Sequence, residues 1–223
     1  MISMLRSLPL TVWLIGIISL VNDSGSELLY PLIPIYLSSV LMAGPRAMGL
    51  IEGVAESTES ILKLFSGVIV DRFHRFKPWF VFGYGIAGVG RPLIAFITSW
   101  PMLLVIRFAD RVGKELRTSP RDALLASSVP PERHGLAFGF HRAMDNAGAV
   151  VGPITAAFLL SRGVALRDLF LWSAIPAAIC IMLAVLIREE KPALAQHPAP
   201  LFRQYVDSAG ITADDRLGVQ GIG

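Results

Sequence analysis

Long apolar stretches separated by short polar connections divide most of the chain into six candidate membrane helices. The first runs from about Leu8 to Val40, the second from Met48 to Val70, and the third from Pro78 to Thr98. The fourth begins near Pro101 and continues as a charged helix toward Ser128; the fifth covers Leu136 to Leu160, and the sixth Leu169 to Ile187. Crossing the hydrocarbon takes ~20 helical residues, so the pattern predicts an all-α, polytopic membrane bundle of six transmembrane helices over residues 1–188. The first stretch exceeds one straight span. Pro31 and Pro34 remove backbone donors and invite a kink, which predicts one tilted, bent helix; the alternative is a surface loop between two short apolar segments. From 189 to 223 the apolar period is lost among Pro192, Pro198, Pro200 and four glycines, a composition that predicts a polar, disordered tail.

Polar residues inside these spans change the picture. Glu52, Glu56, Glu59 and Lys63 recur at i, i+4, i+7 and i+11 and so share one helical face. Each ionisable group costs about 2.5–3.5 kcal/mol at a bilayer centre. Four facing lipid is prohibitive, so the stripe is predicted to face protein or a water-filled cavity. The alternative is a static set of i, i+4 pairs holding helices together. In the first span Asp23 and Glu27 stand one turn apart. The fourth carries Arg107, Asp110, Arg111 and Lys114, with Asp110 able to pair with Arg107 or Lys114 on the same face. Beyond them, Arg117, Arg121 and Asp122 read as the solvated end of a protruding helix, because Pro120 lies between them. Arg91 is an isolated charge in the third span that either snorkels or pairs. The fifth holds His141, Arg142, Asp145 and Asn146, then Gly148, Gly152 and Pro153, the glycines offering a flat strip for close helix contact. Asp23, Glu27, Glu52, Glu56, Arg107 and Asp145 are therefore the candidate solute or proton pathway.

Composition agrees: 53% of the 223 residues are hydrophobic and 17% charged, with a mean hydropathy of +0.59. A soluble domain carries about a quarter charged residues. The net charge of +3 resides mostly in short connections, so it reflects topology and does not point to nucleic acid. Arg72, Arg75 and Lys77, then Arg133, then Arg188 and Lys191 mark one side, which places both termini in the cytoplasm. The N-terminal run resembles a signal peptide, but the Val21–Ser24 segment is a poor cleavage site, and an uncleaved first helix is expected. Cys180, the single cysteine, excludes an intramolecular disulfide. Gly83, Gly85 and Gly88 match a dinucleotide fingerprint without its strand–turn–helix context, and helix packing is the better reading. His74, His134, His141 and His197 show no metal-ligand spacing, so no metal and no cofactor is expected.

Between the second and third spans, Gly67, Asp71, Arg72, Arg75 and Lys77 resemble the signature of the major facilitator superfamily (MFS), with His74 in place of a usual glycine and Phe76 departing from the basic run. Arg107 with Gly113 loosely resembles the family's fourth-helix arginine motif. Gly148, Gly152 and Pro153 are similar to its fifth-helix antiporter motif. The resemblance covers Leu8 to Ile187 and implies an MFS-type fold of which six helices form one half. It further implies secondary active transport of a small solute by alternating access, proton-coupled and of efflux type, in a bacterial inner membrane. Asp71 then pairs with basic groups near the fourth helix. Six spans supply one half of that architecture, which leaves a truncated product, pairing with a second six-helix half, or a homodimer. A non-transporting membrane fragment or interaction partner is the rival reading, and a membrane enzyme a distant third.

Overall fold

A computed structural model describes residues 7–72 and 76–187, with side chains left undescribed over 64–76. These residues belong to one compact unit, Met1–Glu189. The expected tail, 189–223, lies outside the described residues.

Among the described residues the structure is helical without strands. The helices are α1 (Leu10–Leu29), α2 (Leu32–Ser39), α3 (Pro45–Arg72), α4 (Phe76–Leu93), α5 (Trp100–Ser127), α6 (His134–Ser161), α7 (Leu166–Trp172) and α8 (Ala174–Leu186). Short 3-10 turns follow α4 and precede α6. Asn22 to Glu27 lie inside α1, which rules out the surface loop. The chain breaks at Tyr30–Pro31, after the polar segment, and resumes as α2. Pro31 has no N–H to continue the ladder, so the bend falls there. The sixth stretch breaks likewise, at Ser173 between α7 and α8. At the end of α6, Gly163 adopts φ +80° while the Val164 N–H donates to the Leu159 carbonyl, closing the helix with a left-handed cap.

Among the described residues, four helical stretches are long and apolar enough to cross a membrane: Leu10–Ser39, Lys77–Phe96, Pro131–Ser161 and Leu166–Leu186. The two helices outside that group, α3 and α5, have 28 residues each. At 1.5 Å per residue each is about 42 Å long, more than the ~30 Å of hydrocarbon. Length does not set them apart; charge does. Their ionised residues pair with one another, as described below.

The helices pack in the order α3, α5, α4, α8, α1, α6, each touching the next. Two apolar cores occupy the two ends of the unit. One gathers Leu8, Val12, Ile15, Phe80, Leu125, Val129 and Ile187. The other gathers Leu29, Leu32, Tyr36, Ile51, Ile97, Leu103, Leu169 and Phe170. Outward faces carry Phe82, Val89, Val105, Val150, Ile154, Ile175 and Met182, all exposed. An apolar surface this extensive is rare on soluble monomers.

Glycines set the closest contacts. A Cβ at Gly83 would lie 2.6 Å from the Gly113 carbonyl oxygen, and one at Gly88 3.1 Å from the Ala177 Cβ. The two outer glycines of the G-x-G-x-x-G pattern therefore serve helix packing. Cys180 is buried, its thiol donating to the Ile18 carbonyl at 3.5 Å.

Candidate functional site

Between the two apolar cores lies a polar cavity of about 440 Å³. It is lined from α1 by Ser19, Asn22, Asp23, Ser26 and Glu27, by Tyr30 just past its end, and from α3 by Glu59 and Lys63. Tyr84 and Arg91 of α4, Arg142 and Asp145 of α6, and the run Arg107 to Arg121 of α5 complete the wall. Eight of the lining side chains are basic and six acidic, so the cavity has a positive surplus.

The stripe on α3 meets the stripe on α5. Arg107 Nη2 donates to both Glu52 oxygens at 2.8 and 3.0 Å. Arg111 spans Glu56 at 3.2 Å and Glu59 at 2.9 Å. Lys114 reaches Glu59 at 3.1 Å, and Lys63 reaches it at 2.8 Å from the next turn of α3. Glu59 thus accepts from three cations. One of these contacts is the expected i, i+4 pair; the others run between helices. The attraction between opposite charges on two adjacent helices offsets part of the desolvation cost of the stripe.

A second polar chain crosses the unit. Arg91 is 6% exposed and meets Asp110 Oδ1 at 3.3 Å. Its Nη1 donates to Asn22 Oδ1 at 3.2 Å, and Asn22 Nδ2 donates to Asp23 Oδ1 at 2.8 Å. The Asp23 and Asp145 carboxyl groups face each other at the α1–α6 seam, and Arg142 donates to Asp145 at 3.2 Å. One turn away the Ser19 hydroxyl and His141 Nε2 share a buried hydrogen bond of 2.7 Å. Ser19→Ala leaves His141 without that partner and is expected to cost about 1 kcal/mol; a lowered midpoint in thermal unfolding would register it.

That seam is close because of two glycines. A Cβ at Gly148 would sit 2.6 Å from the Leu20 carbonyl oxygen, and one at Gly152 2.7 Å from both Leu28 N and Ser24 O. Pro153 follows inside α6 without ending it.

The cavity gathers Asp23, Glu27, Arg107 and Asp145 from the sequence-derived set. Glu52 stands off the lining, held by Arg107. Glu56 also stands off it and is 64% exposed. Two expectations are corrected. Asp110 pairs with Arg91 on a neighbouring helix and not with Arg107 or Lys114 on its own. Arg117 is not solvated: it is 6% exposed and stacks its guanidinium 4.6 Å from the Tyr84 ring centroid. Glu115, 3% exposed, went unnoticed in the sequence although it stands one residue beyond Lys114. Of the signature residues, Gly67, Asp71 and Arg72 lie on the last turns of α3, and Lys77 is in the first turn of α4. Arg75 lies outside the described residues, and the pairing expected for Asp71 rests on a side chain that is not described. No group of three or more His, Cys, Asp or Glu able to hold a metal occurs among the described residues.

An all-helical unit with apolar outward faces and a charged internal cavity defines a polytopic membrane protein built around a polar pathway. Residues 15–213 match the family model of the Major Facilitator Superfamily, and the chain belongs to that family of transporters. It is accordingly an integral membrane protein and not an enzyme. It is 30% identical to an uncharacterized MFS-type transporter of Methanocaldococcus jannaschii over 186 residues, 83% of this chain and 46% of the relative. It is 31% identical to an uncharacterized protein of Mycobacterium tuberculosis over 150 residues, 67% of this chain and 36% of the relative. Against the multidrug resistance protein MdtH of Photorhabdus laumondii it is 30% identical over 136 residues, 61% of this chain and 34% of the relative. The chain spans about half the length, or less, of the curated relatives it matches.

Proposed function

We propose that this chain forms a six-span half of a proton-coupled secondary transporter, with the cavity between its two apolar cores as one wall of the solute pathway. The observation that carries this reading is the polar chain Arg91–Asn22–Asp23, continued by Asp145 and Arg142, inside an otherwise apolar unit. Two facing carboxyl groups repel when both are ionised, and a proton held between them relieves the repulsion. Loading and releasing that proton as the cavity changes its exposure couples solute movement to the proton gradient. Asp23 and Asp145 carry the proton, Glu27 lines the way to it, and Arg107 holds Glu52 as part of the α3–α5 clamp. The α1–α6 glycine seam transmits the motion, as the antiporter-like Gly148–Pro153 segment implies. The Gly67–Lys77 connection acts as the conformational latch.

α3 and α5 complete the six spans, their charges matched between them. Basic connections support a topology in a bacterial inner membrane with both termini on the cytoplasmic side. Glu56 is 64% exposed in mid-helix, a position hostile in hydrocarbon. This favours a second polar unit across the pathway, either another six-helix half or a second copy of this chain. Export fits the relative named as a multidrug resistance protein.

The test is a pH-gradient assay in proteoliposomes holding the full chain, with an internal pH dye and a panel of small organic anions and cations. A solute-evoked proton flux is expected, reduced at least tenfold in Asp23→Asn and in Asp145→Asn. Flux unchanged in both variants removes these carboxyls from the coupling. Silence with every solute in the panel refutes transport by this chain and favours the inert-partner reading.

A further inference from the structure

Arg117 is the exception in the cavity's charge pattern. Each of the other basic lining side chains has a carboxylate within 4 Å: Arg91 has Asp110, Arg107 has Glu52, and Arg111, Lys114 and Lys63 share Glu59. Arg121 and Arg142 have Asp122 and Asp145. Among the described residues Arg117 forms no ion pair, and its Nη1 is buried without a hydrogen-bond partner. The side chain is nonetheless 6% exposed and lines the cavity. Its position is built. Tyr84, itself 3% exposed, lies under the guanidinium plane, and the Gly83–Gly113 contact brings α4 against α5 at this level. A buried guanidinium with an open donor is costly to leave unmet, and its planar fork matches the two oxygens of a carboxylate or phosphate.

We propose that Arg117 receives the anionic group of the solute, a carboxylate or phosphate oxyanion, making this cavity a site for small organic anions. The cavity volume suits a metabolite-sized ligand. The surplus of basic over acidic lining residues favours that charge. A cationic solute would have to use Glu115, whose two carboxylate oxygens are also buried and unpartnered. But Lys63, Lys114 and Arg121 already act on that group against a single acid, Glu59, so an incoming cation meets three positive charges and one negative there. Asp110, the acid nearest in kind to a partner for Arg117, is occupied by Arg91. Asp23 is among the charges that act on Arg117, which ties the site to the proposed proton-carrying pair.

The inference rests on the transport reading, but binding tests it separately. The full chain is placed in phosphatidylcholine nanodiscs, and its thermal midpoint is followed against succinate, inorganic phosphate and choline at constant ionic strength. Succinate or phosphate is expected to raise the midpoint, the stronger of the two identifying the oxyanion, and choline is expected not to. Arg117→Gln should weaken that binding at least tenfold. Arg117→Lys, which keeps the charge and most of the volume but loses the fork, should weaken it several-fold and serves as well if the glutamine variant does not fold. Stabilisation by choline alone, no response to either oxyanion, or full affinity in the folded variants overturns the proposal. Loss of the oxyanion response when phosphatidylglycerol is added to the discs would assign the site to a lipid headgroup and overturn it as well. Oxyanion binding without proton flux would refute the transport reading alone; flux without oxyanion binding would refute this proposal alone.

Discussion

Gly152→Ala is expected to lower the stability of the unit by about 3 kcal/mol, the upper end of the overpacking range, and Gly152→Leu to prevent recovery of folded protein. The reason is the identity of the atoms that a Cβ would meet. Leu28 N, Ser24 O and Glu27 C, all within 2.9 Å, are backbone of α1 and cannot swing aside as a side-chain tip would. α1 at this level is also fixed from its other side, where a Cβ at Gly25 would meet Pro176 at 2.9 Å. The strain has to be relieved by separating α1 from α6, which opens the seam where Asp23 faces Asp145. Gly135 and Gly139 lie on the same helix with nothing within 4 Å of their notional Cβ atoms. Alanine there is expected to be neutral or to add ~0.5–1 kcal/mol through helix propensity. Size-exclusion profiles of detergent-extracted protein after stepwise heating would rank the four variants. Equal midpoints for Gly152→Ala and Gly139→Ala would show that the seam is not tight.

The glycine strip was visible in the sequence because it is local: two glycines four residues apart fall on one face whatever the partner. The same holds for helix limits. The expected stretches from Met48 to Val70, Pro101 to Ser128 and Leu136 to Leu160 match α3, α5 and α6 to within a few residues. Partner choice between helices is not local, and there the sequence misleads. Asp110 stands one turn from both Arg107 and Lys114, yet those cations face α3 and are taken by Glu52 and Glu59, leaving Asp110 to Arg91. Arg117 looked solvated because Pro120 suggested an ending. The helix runs through Pro120 to Ser127, and Pro120 is itself buried. Once the helix continues, Arg107, Asp110, Lys114, Arg117 and Arg121 recur at three- and four-residue steps along one broad face. That spacing is the signal that could have placed Arg117 in the cavity. Nothing comparable marks Tyr84, whose role depends on α4 packing against α5.

The pairing of α3 with α5 also shows what a hydropathy window leaves out. A composition window counts Glu52, Glu59, Arg107, Arg111 and Lys114 separately, whereas in the folded unit Glu52 pairs with Arg107 and Glu59 with Arg111 and Lys114. Hydropathy scores each helix alone, whereas the charges of these two helices face each other.

The same reasoning makes Arg91 and Asp110 the most sensitive charged positions. Arg91→Leu leaves the buried Oδ1 of Asp110 without its cation and Asn22 Oδ1 without its donor. Asp110→Leu leaves a guanidinium whose remaining contacts are to Asn22. Removing one partner of a buried pair typically costs about 3–5 kcal/mol, while replacing both by apolar residues is often close to neutral. Each single variant is therefore expected to lose most of the folded protein, and Arg91→Leu/Asp110→Leu to recover the larger part of it. A double variant no better than the worse single one would mean that the pair's value lies in geometry and not in charge compensation. Recovery of fold would not bring recovery of transport. With Arg91 gone, Asn22 is no longer held from α4, and its amide loses the orientation in which Nδ2 donates to Asp23 Oδ1. The double variant should then fold, insert and bind oxyanion at Arg117, yet show a solute-evoked proton flux reduced at least tenfold. Full flux in a folded double variant would disconnect Arg91 and Asn22 from the proton-carrying pair and leave Asp23 and Asp145 to act without them.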